Sequence, residues 1–196
     1  MATNNRKLTV SFVALLSCFF ITACEVVSLD DNGKPIIPMS AEEAASFKNM
    51  EPKTIADKIW PNLLQNAKSS AITPEVLMAD AQNDKSYFVI LRGIIESIDE
   101  KQNVTLNTGG QTITLQSGPT VRGNAIRDAS VMISFDQFKN QIQFAKLSKE
   151  LNKKAVHNTT SSGSFEAGKT IEILTALTIK NNQIQDVVPL EIIKSE

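Results

Sequence analysis

The stretch YFVILRGIIESI, residues 87–98, decides the fold. It is long and rich in β-branched side chains, which is typical of a β-strand. Gly93 lies in its middle and predicts a bulge or a sharp bend. A long first strand that bends at a glycine is what a small closed barrel needs in order to curl onto itself.

Four further strands are predicted after this one. Residues 111–116 alternate cleanly, with Ile113 and Leu115 facing inward and Thr112 and Thr114 facing outward. The other three strands are predicted at 104–107, 169–179 and 183–193, and a helix at about 142–156 is followed by an exposed loop at 158–164. Pro189 should lie at an edge or a bulge, because proline cannot donate a hydrogen bond to a sheet.

Three strands, an intervening helix and two more strands is the order of an OB-fold, a five-stranded and partly open barrel. The predicted fold class is therefore mainly β with helices (α+β), with an OB-like five-stranded barrel over residues 85–196. A five-stranded α+β sheet with the helix on one face is the alternative.

A helical extension is predicted before the barrel, over residues 51–84. Ile55, Ile59 and Leu63 form an apolar stripe with helical spacing. Pro61 should kink or split this helix. A second helix is predicted to begin at Thr73, with threonine as the N-cap and proline at the first position.

The N-terminus predicts export and a lipid anchor. Arg6 and Lys7 precede an apolar run of 14 residues, VSFVALLSCFFITA, which is shorter than the roughly 20 residues of a membrane-spanning helix. The run ends in ITAC, residues 21–24, which resembles the lipobox of bacterial lipoproteins. We therefore predict a signal peptide over 1–23 and a tether over 24–50. Cys24 is predicted to be acylated, for example with palmitate. An ordinary signal peptide with Cys24 present by chance is the alternative.

Composition excludes several classes of function. The chain of 196 residues has one histidine and two cysteines, so a zinc cluster or a Ser-His-Asp triad is not expected, and no cofactor or metal is predicted. Without Arg6 and Lys7, 18 basic side chains oppose 21 acidic ones, a formal charge of −3. This acidic balance argues against nucleic acid as a partner. The predicted partner is the membrane, through the N-terminal lipid.

The most distinctive run covers residues 115–155: LQSGPTVRGNAIRDASVMISFDQFKNQIQFAKLSKELNKKA. Its GP, VRG, RD, ISF and NQI pieces resemble the signature of a bacterial family of predicted periplasmic lipoproteins, domain of unknown function 2291. The resemblance covers essentially the whole mature chain. It implies no established activity. Members of the family are often associated with sugar uptake systems of the ATP-binding-cassette type, which implies an envelope or transporter protein as a further partner.

Arg122, Arg127 and Asp128 form the densest polar cluster of this run. As a ligand site, the arginine forks would grip a carboxylate or pair with sugar hydroxyls, and Asp128 would accept from those hydroxyls. Asn140 is a further candidate ligand residue. The structural alternative is that the arginines organise a crossover connection and that Asn140 satisfies backbone groups at a helix start.

These features predict a non-enzymatic binding or accessory module on the extracytoplasmic face of a bacterial membrane, linked to carbohydrate uptake. Two alternatives remain. One is a hydrolase of cell-envelope glycans that uses two carboxylates, for example Asp128 with Asp136. The other is a purely structural envelope protein. The sequence leaves open whether the membrane is the inner or the outer one.

Overall fold

The computed structural model describes residues 47–196, so the predicted signal peptide, Cys24 and most of the predicted tether lie outside the described residues. The described part of the chain is a five-stranded antiparallel sheet with helices. The strands are β1 Lys85–Ile98, β2 Val104–Asn107, β3 Thr112–Leu115, β4 Thr170–Lys180 and β5 Gln183–Ser195. The helices are α1 Pro52–Ser70, α2 Pro74–Asp80, α3 Ala125–Ala129 and α4 Gln141–Ser162, and short 3-10 turns occupy Phe47–Asn49 and Phe135–Gln137.

The strand order is β3-β2-β1-β4-β5, and every neighbouring pair is antiparallel. β1 reaches both halves of the sheet because it pairs with β4 from Lys85 to Ile94 and with β2 from Ile94 onward. Gly93 lies at this change of partner, where an added Cβ would stand 2.3 Å from the carbonyl oxygen of Asn107. Only a residue without a side chain allows the two strands to approach this closely.

The sheet curls until its two edge strands meet at one end. The backbone N–H of Gln116, just after β3, donates to the carbonyl oxygen of Val187 in β5 at 2.8 Å. The alternating apolar residues of the strands fill the inside of the curl, and Leu77 of α2 joins them. The buried members of this inner core are Leu77, Val89, Leu91, Ile95, Val104, Leu106, Ile113, Leu115, Ile171, Ile173, Leu177, Ile179, Val187 and Ile192.

A second core forms where α1, α3 and α4 pack against the outer face of β1, β4 and β5. The predicted helical stripe is confirmed here, since Ile55, Ile59 and Leu63 are all fully buried. The helix does not split at Pro61 and runs unbroken from Pro52 to Ser70. Burial on both sides of the proline outweighs the one backbone hydrogen bond that proline removes.

The predicted loop at 158–164 is wrong over most of its length, because α4 continues to Ser162. The polar side chains there have partners that the sequence pattern did not indicate. Asn158 donates its amide to the carbonyl oxygen of Leu190 at 2.8 Å, and the Ser162 hydroxyl accepts from the N–H of Ile192 at 2.9 Å. These bonds tie the last turns of α4 to β5.

The second helix begins as predicted, with Thr73 at the N-cap and Pro74 at the first position. Pro189 lies in β5, which is an edge strand, and it pairs with Thr175 beside a register shift, as predicted. Within residues 47–196, no helix combines the length and the apolar content that crossing a bilayer demands.

Candidate functional site

Arg127 and Asp128 are close neighbours in α3, and their side chains pair. The Arg127 Nη2 and Nε atoms lie 2.6 and 2.7 Å from Oδ1 of Asp128. The guanidinium carbon also lies 3.8 Å from the centre of the Phe144 ring in α4. The side chain of Arg127 is only 11% exposed. This arrangement, the Arg127 cluster of Arg127, Asp128 and Phe144, attaches α3 to α4 and leaves little of the guanidinium for a ligand.

Arg122 lies apart from this cluster. Its backbone is held by the side chain of Gln116, whose Oε1 accepts from the Arg122 N–H at 2.9 Å and whose Nε2 donates to the Arg122 carbonyl at 3.2 Å. Its side chain is exposed. Among the described residues, its guanidinium forms no ion pair. The structure therefore divides the predicted three-residue cluster into two separate places.

Arg122 borders a groove between the two edge strands, in the region where β3 and β5 are not joined by hydrogen bonds. This β3–β5 groove has a volume of about 810 Å³, within the range of small-molecule sites. Its polar lining is made of hydroxyls, amides and two opposite charges: Gln111, Thr112, Thr114, Gln116, Arg122, Asn182, Gln183, Gln185 and Asp186. Its apolar lining includes Leu77, Met78, Ile113, Ile179, Ile184 and Val187.

A second depression of about 590 Å³ continues from the groove. The two share Thr114, Gln116 and Arg122. The second depression adds Glu100, Lys101 and Asn103 from the loop between β1 and β2. Arg122 thus stands where the two depressions meet, with the outward side chains of β3 between them. A ligand that lies across β3 would contact the guanidinium from either depression.

Gly123 brings Asp186 to the groove. Gly123 has a φ of +87°, and a Cβ at this position would come within 2.6 Å of the carboxyl carbon of Asp186. Asp186 itself has a positive φ of 52°. The Asp186 carboxylate is therefore held at the rim by a backbone conformation that few residues adopt, while the Gln116 side chain holds the backbone of Arg122. Together with amides and hydroxyls, Asp186 and Arg122 offer donors and acceptors to a polar ligand.

Gln116, Gln185 and Asp186 are groove residues that no sequence motif indicated as candidate ligand residues. The alternation of β3 placed its threonines outside the barrel, and the same alternation continues to Gln116. Nothing comparable pointed to Asp186, because the positive φ of this residue and its contact with Gly123 depend on tertiary structure.

Asn140 is the N-cap of α4, and its Oδ1 accepts from the backbone N–H of Gln143 at 2.9 Å. This matches the structural alternative, in which an amide satisfies a backbone donor at a helix start. Asn140 lies on a shallow depression with Lys48 and Lys146. None of these three residues lines the β3–β5 groove.

The paired carboxylates of the hydrolase alternative gain no support. The hydroxyl of Ser134 donates to Asp136, and this hydrogen bond holds the pKa of Asp136 below its ordinary value. A general acid at neutral pH needs a raised pKa. The other carboxylate, Asp128, is engaged by Arg127. Within the part of the chain that the structure describes, no group of three His, Cys, Asp or Glu side chains is placed to hold a metal ion.

Comparison with known proteins supports the family and the fold class that the sequence predicts. The model of the family described as predicted periplasmic lipoprotein (DUF2291) matches residues 13–193. No curated protein matches the chain. The crystal structure of an OB-fold protein from Thermotoga maritima is similar, with a TM-score of 0.60, 18% identity, and coverage of 76% of this chain and 100% of that one. At this identity the likeness concerns the fold alone, and it confirms the predicted OB-like architecture.

Proposed function

The chain belongs to the predicted periplasmic lipoprotein family (DUF2291), and from this premise we propose that it is a membrane-anchored, non-enzymatic binding module whose ligand site is the β3–β5 groove. The single observation that supports the site best is the environment of Arg122. Its backbone is fixed by Gln116, while its guanidinium stands exposed beside the groove with no ion pair among residues 47–196. A fixed arginine with a free fork is suited to binding an anionic or polyhydroxylated group.

In this proposal the membrane anchor is the acylated Cys24, the cysteine of the lipobox-like ITAC sequence. Two or three acyl chains on one cysteine hold a protein at a bilayer far more firmly than a single myristoyl chain. Phe47, where the described chain begins, follows Cys24 by 23 positions. A fully extended link of this length spans at most about 80 Å. Phe47 would therefore stay within that distance of the membrane, and the groove within that distance plus the width of the folded body, which raises the effective concentration of the module towards membrane partners.

The ligand class follows from the lining. Hydroxyls and amides on both edge strands can donate to and accept from sugar hydroxyls, and Arg122 can grip a carboxylate in a bidentate manner. The apolar residues between them provide a surface against which the carbon–hydrogen face of a sugar ring can pack. We therefore expect a small saccharide or sugar acid. Service to carbohydrate uptake is the finer part of the proposal, and it rests on the family resemblance.

Calorimetric titration of the lipidated chain in detergent with pentoses, hexoses and uronic acids tests the site. We expect at least one of these ligands to bind, and Arg122→Ala to weaken that binding by at least about tenfold, since one charge-assisted contact contributes ~1.5–3 kcal/mol. Arg92→Ala is the matched control, because Arg92 is also an exposed arginine but lies outside the groove.

Two outcomes would remove the proposed site. One is the absence of any binding heat across the whole panel. The other is binding that Arg122→Ala and Arg92→Ala weaken equally. The link to uptake is tested separately by affinity purification of the lipidated chain from its own membranes, followed by identification of the retained proteins. Retention of a sugar transporter by the unchanged chain but not by the Arg122→Ala variant is the expected result.

A further inference from the structure

Three large apolar side chains are exposed between α3 and the first turn of α4. Val131, Phe135 and Ile142 are 88%, 53% and 67% exposed. Phe135 is held in place by an edge-on contact with Phe144, with the ring centres 5.4 Å apart. We call these three residues the α3–α4 apolar face. They lie within 12 consecutive residues of the chain, and contiguous exposed apolar patches mark interaction surfaces.

The chain coming from the lipid joins the folded part beside this face. Phe47 packs against Phe138, with ring centres 5.6 Å apart. The amide of Gln143, the residue after Ile142, donates to the carbonyl oxygens of Phe47 and Met50, both at 2.7 Å. The first described residues are thus fixed to the N-terminal end of α4. The end of the molecule that carries Ile142 is therefore where the segment that leads back to Cys24 enters the described chain.

The charges around Ile142 are predominantly basic. Ile142 lines a shallow depression together with Lys48, Lys139 and Lys146, and Glu51 is the acidic residue of the same depression. Asp136 is also near: its pKa is lowered mainly by the Ser134 hydrogen bond, then by a backbone hydrogen bond, and to a smaller extent by the charge of Lys48. Three lysines thus oppose two carboxylates. This local excess contrasts with the body of the chain, where acidic side chains outnumber basic ones. Lysines close to an anionic leaflet are attracted to it.

We propose that the α3–α4 apolar face docks on the anionic phospholipid surface of the membrane that holds the lipid anchor. The apolar side chains would enter the headgroup boundary, and Lys139 and Lys146 would lie against phosphates. The proposal rests on the lipoprotein nature of the family and not on the ligand groove. The lysine-lined depression shares none of its lining residues with the groove.

A rival surface provides the control. Val76, Met78 and Ile94 are also exposed, and Met78 is 74% exposed, slightly more than Ile142. Met78 and Ile94 line a depression that contains Glu75 and Glu172 and one basic residue, Arg92. An anionic bilayer should not favour this surface. The two surfaces therefore match in apolar exposure and differ in charge.

The experiment uses the lipidated full chain in proteoliposomes. Ile142→Cys and Met78→Cys each receive a fluorophore, and the vesicles contain phospholipids with a nitroxide on the headgroup that quench nearby fluorophores. Cys18 and Cys24 are the two natural cysteines, and the unsubstituted chain shows whether either takes up label. We expect quenching at position 142 to exceed quenching at position 78 by about threefold or more in vesicles rich in anionic lipid.

Charge variants and salt sharpen the test. The double change Lys139→Glu with Lys146→Glu should lower the docked-to-undocked ratio at position 142 by about tenfold or more, because each lysine near the leaflet is worth roughly fivefold. The double change Lys169→Glu with Lys180→Glu is the control, since both lysines are exposed and lie at the two ends of the β4 region. Raising the ionic strength from about 0.01 to about 1 M should also weaken quenching, as the Debye length falls from ~30 to ~3 Å.

Three outcomes would overturn the proposal. Equal quenching at positions 142 and 78 would mean that the body turns freely on its tether. Stronger quenching at position 78 would assign docking to the rival surface. Quenching at position 142 that is the same in neutral and in anionic vesicles would remove the role of the lysines.

Discussion

Arg122 and Arg127 lie five positions apart in the chain and have opposite surroundings. The Arg127 guanidinium is engaged on two sides: its edge pairs with Asp128, and its face lies against the Phe144 ring. The Arg122 guanidinium is exposed beside the β3–β5 groove, and only its backbone is held. The difference teaches that a cluster of arginines in a sequence is not by itself a site. What each guanidinium contacts decides whether it stabilises the fold or is available to a ligand.

The border between the two regions is Gly123, and the largest expected effect arises there. On one side its carbonyl oxygen accepts from the Asn152 amide of α4 at 3.2 Å, and on the other its Cα faces Asp186. Gly123→Ala would combine a positive φ with a collision against the Asp186 side chain. We expect a loss of about 3 kcal/mol in the free energy of unfolding, from denaturant titration, together with weaker ligand binding.

Gly110→Ala is the control for Gly123→Ala, because nothing lies within 4 Å of a Cβ at Gly110 and its φ lies outside the left-handed region. This control should change the free energy of unfolding by less than about 0.5 kcal/mol. If Gly123→Ala weakens binding but leaves the stability unchanged, Gly123 does not connect the two regions.

The second prediction concerns Arg127, the arginine that is engaged by its neighbours. Arg127→Ala removes the contact with Phe144 and the ion pair with Asp128, and it exposes apolar surface that the arginine stem covers. We expect a loss of about 2 kcal/mol, since a largely buried cation–π contact contributes ~1–2 kcal/mol and a half-exposed ion pair a fraction of that. Thermal unfolding should shift down by roughly 4–8 °C in a domain of this size.

Arg127→Lys separates charge from shape in the same place. Lysine keeps the positive charge but has neither the planar fork nor the flat face that stacks on Phe144. It should therefore recover less than half of the lost stability. Ligand binding in the groove should be unchanged in both variants. Weakened binding without lost stability would contradict the division into two regions.

Much of the fold could be predicted because local patterns and tertiary structure agree. The long strand with Gly93, the alternating β3 and the apolar stripe of α1 all report which face is buried. The end of α4 could not be predicted, because Asn158 and Ser162 resemble loop residues until β5 supplies their partners. The continuity of α1 through Pro61 has the same origin, since packing outweighs a local preference.

The candidate site could be predicted only in part, for a similar reason. Arg122 was identified from its residue type, but nothing in the sequence separates it from Arg127. The separation depends on Gln116, which holds the Arg122 backbone, and on Phe144, which receives Arg127. Asp186 lies far from both arginines in the chain, and only the meeting of β3 with β5 brings it to the groove. Cys24 lies outside the described residues, so its acylation stays a prediction.

The third prediction concerns Arg122, the exposed arginine. Arg122→Ala should change the free energy of unfolding by less than about 0.5 kcal/mol, because an exposed side chain without an ion pair contributes little to stability. The same change should weaken ligand binding by at least about tenfold, which corresponds to ~1.4 kcal/mol. Denaturant titration and calorimetry on the same preparation measure the two quantities. A loss of stability comparable to that of Arg127→Ala would assign Arg122 to the scaffold.

The smallest effect should come from an ion pair in the helical layer, where Nζ of Lys154 in α4 lies 2.5 Å from Oδ1 of Asp57 in α1. The hydrogen bond from Lys154 is the main cause that holds the pKa of Asp57 below its ordinary value of 3.8. A carboxyl group with a lowered pKa in the folded state stabilises the fold above its ordinary pKa, and this contribution is lost as the pH falls through the lowered value.

Because Asp57 and Lys154 are both partly exposed, the contribution should be only about 0.3 kcal/mol at pH 7. Asp57→Asn should therefore lower the stability slightly at pH 7, and the difference from the unchanged chain should begin to shrink as the pH falls below about 3.8 and vanish below the lowered pKa. The groove offers no equivalent, since Arg122 forms no ion pair within the described chain. If the Asp57→Asn difference persists undiminished in acid, the helical layer does not gain stability from this charge pair. Its stability would then come from apolar packing and the Arg127 cluster.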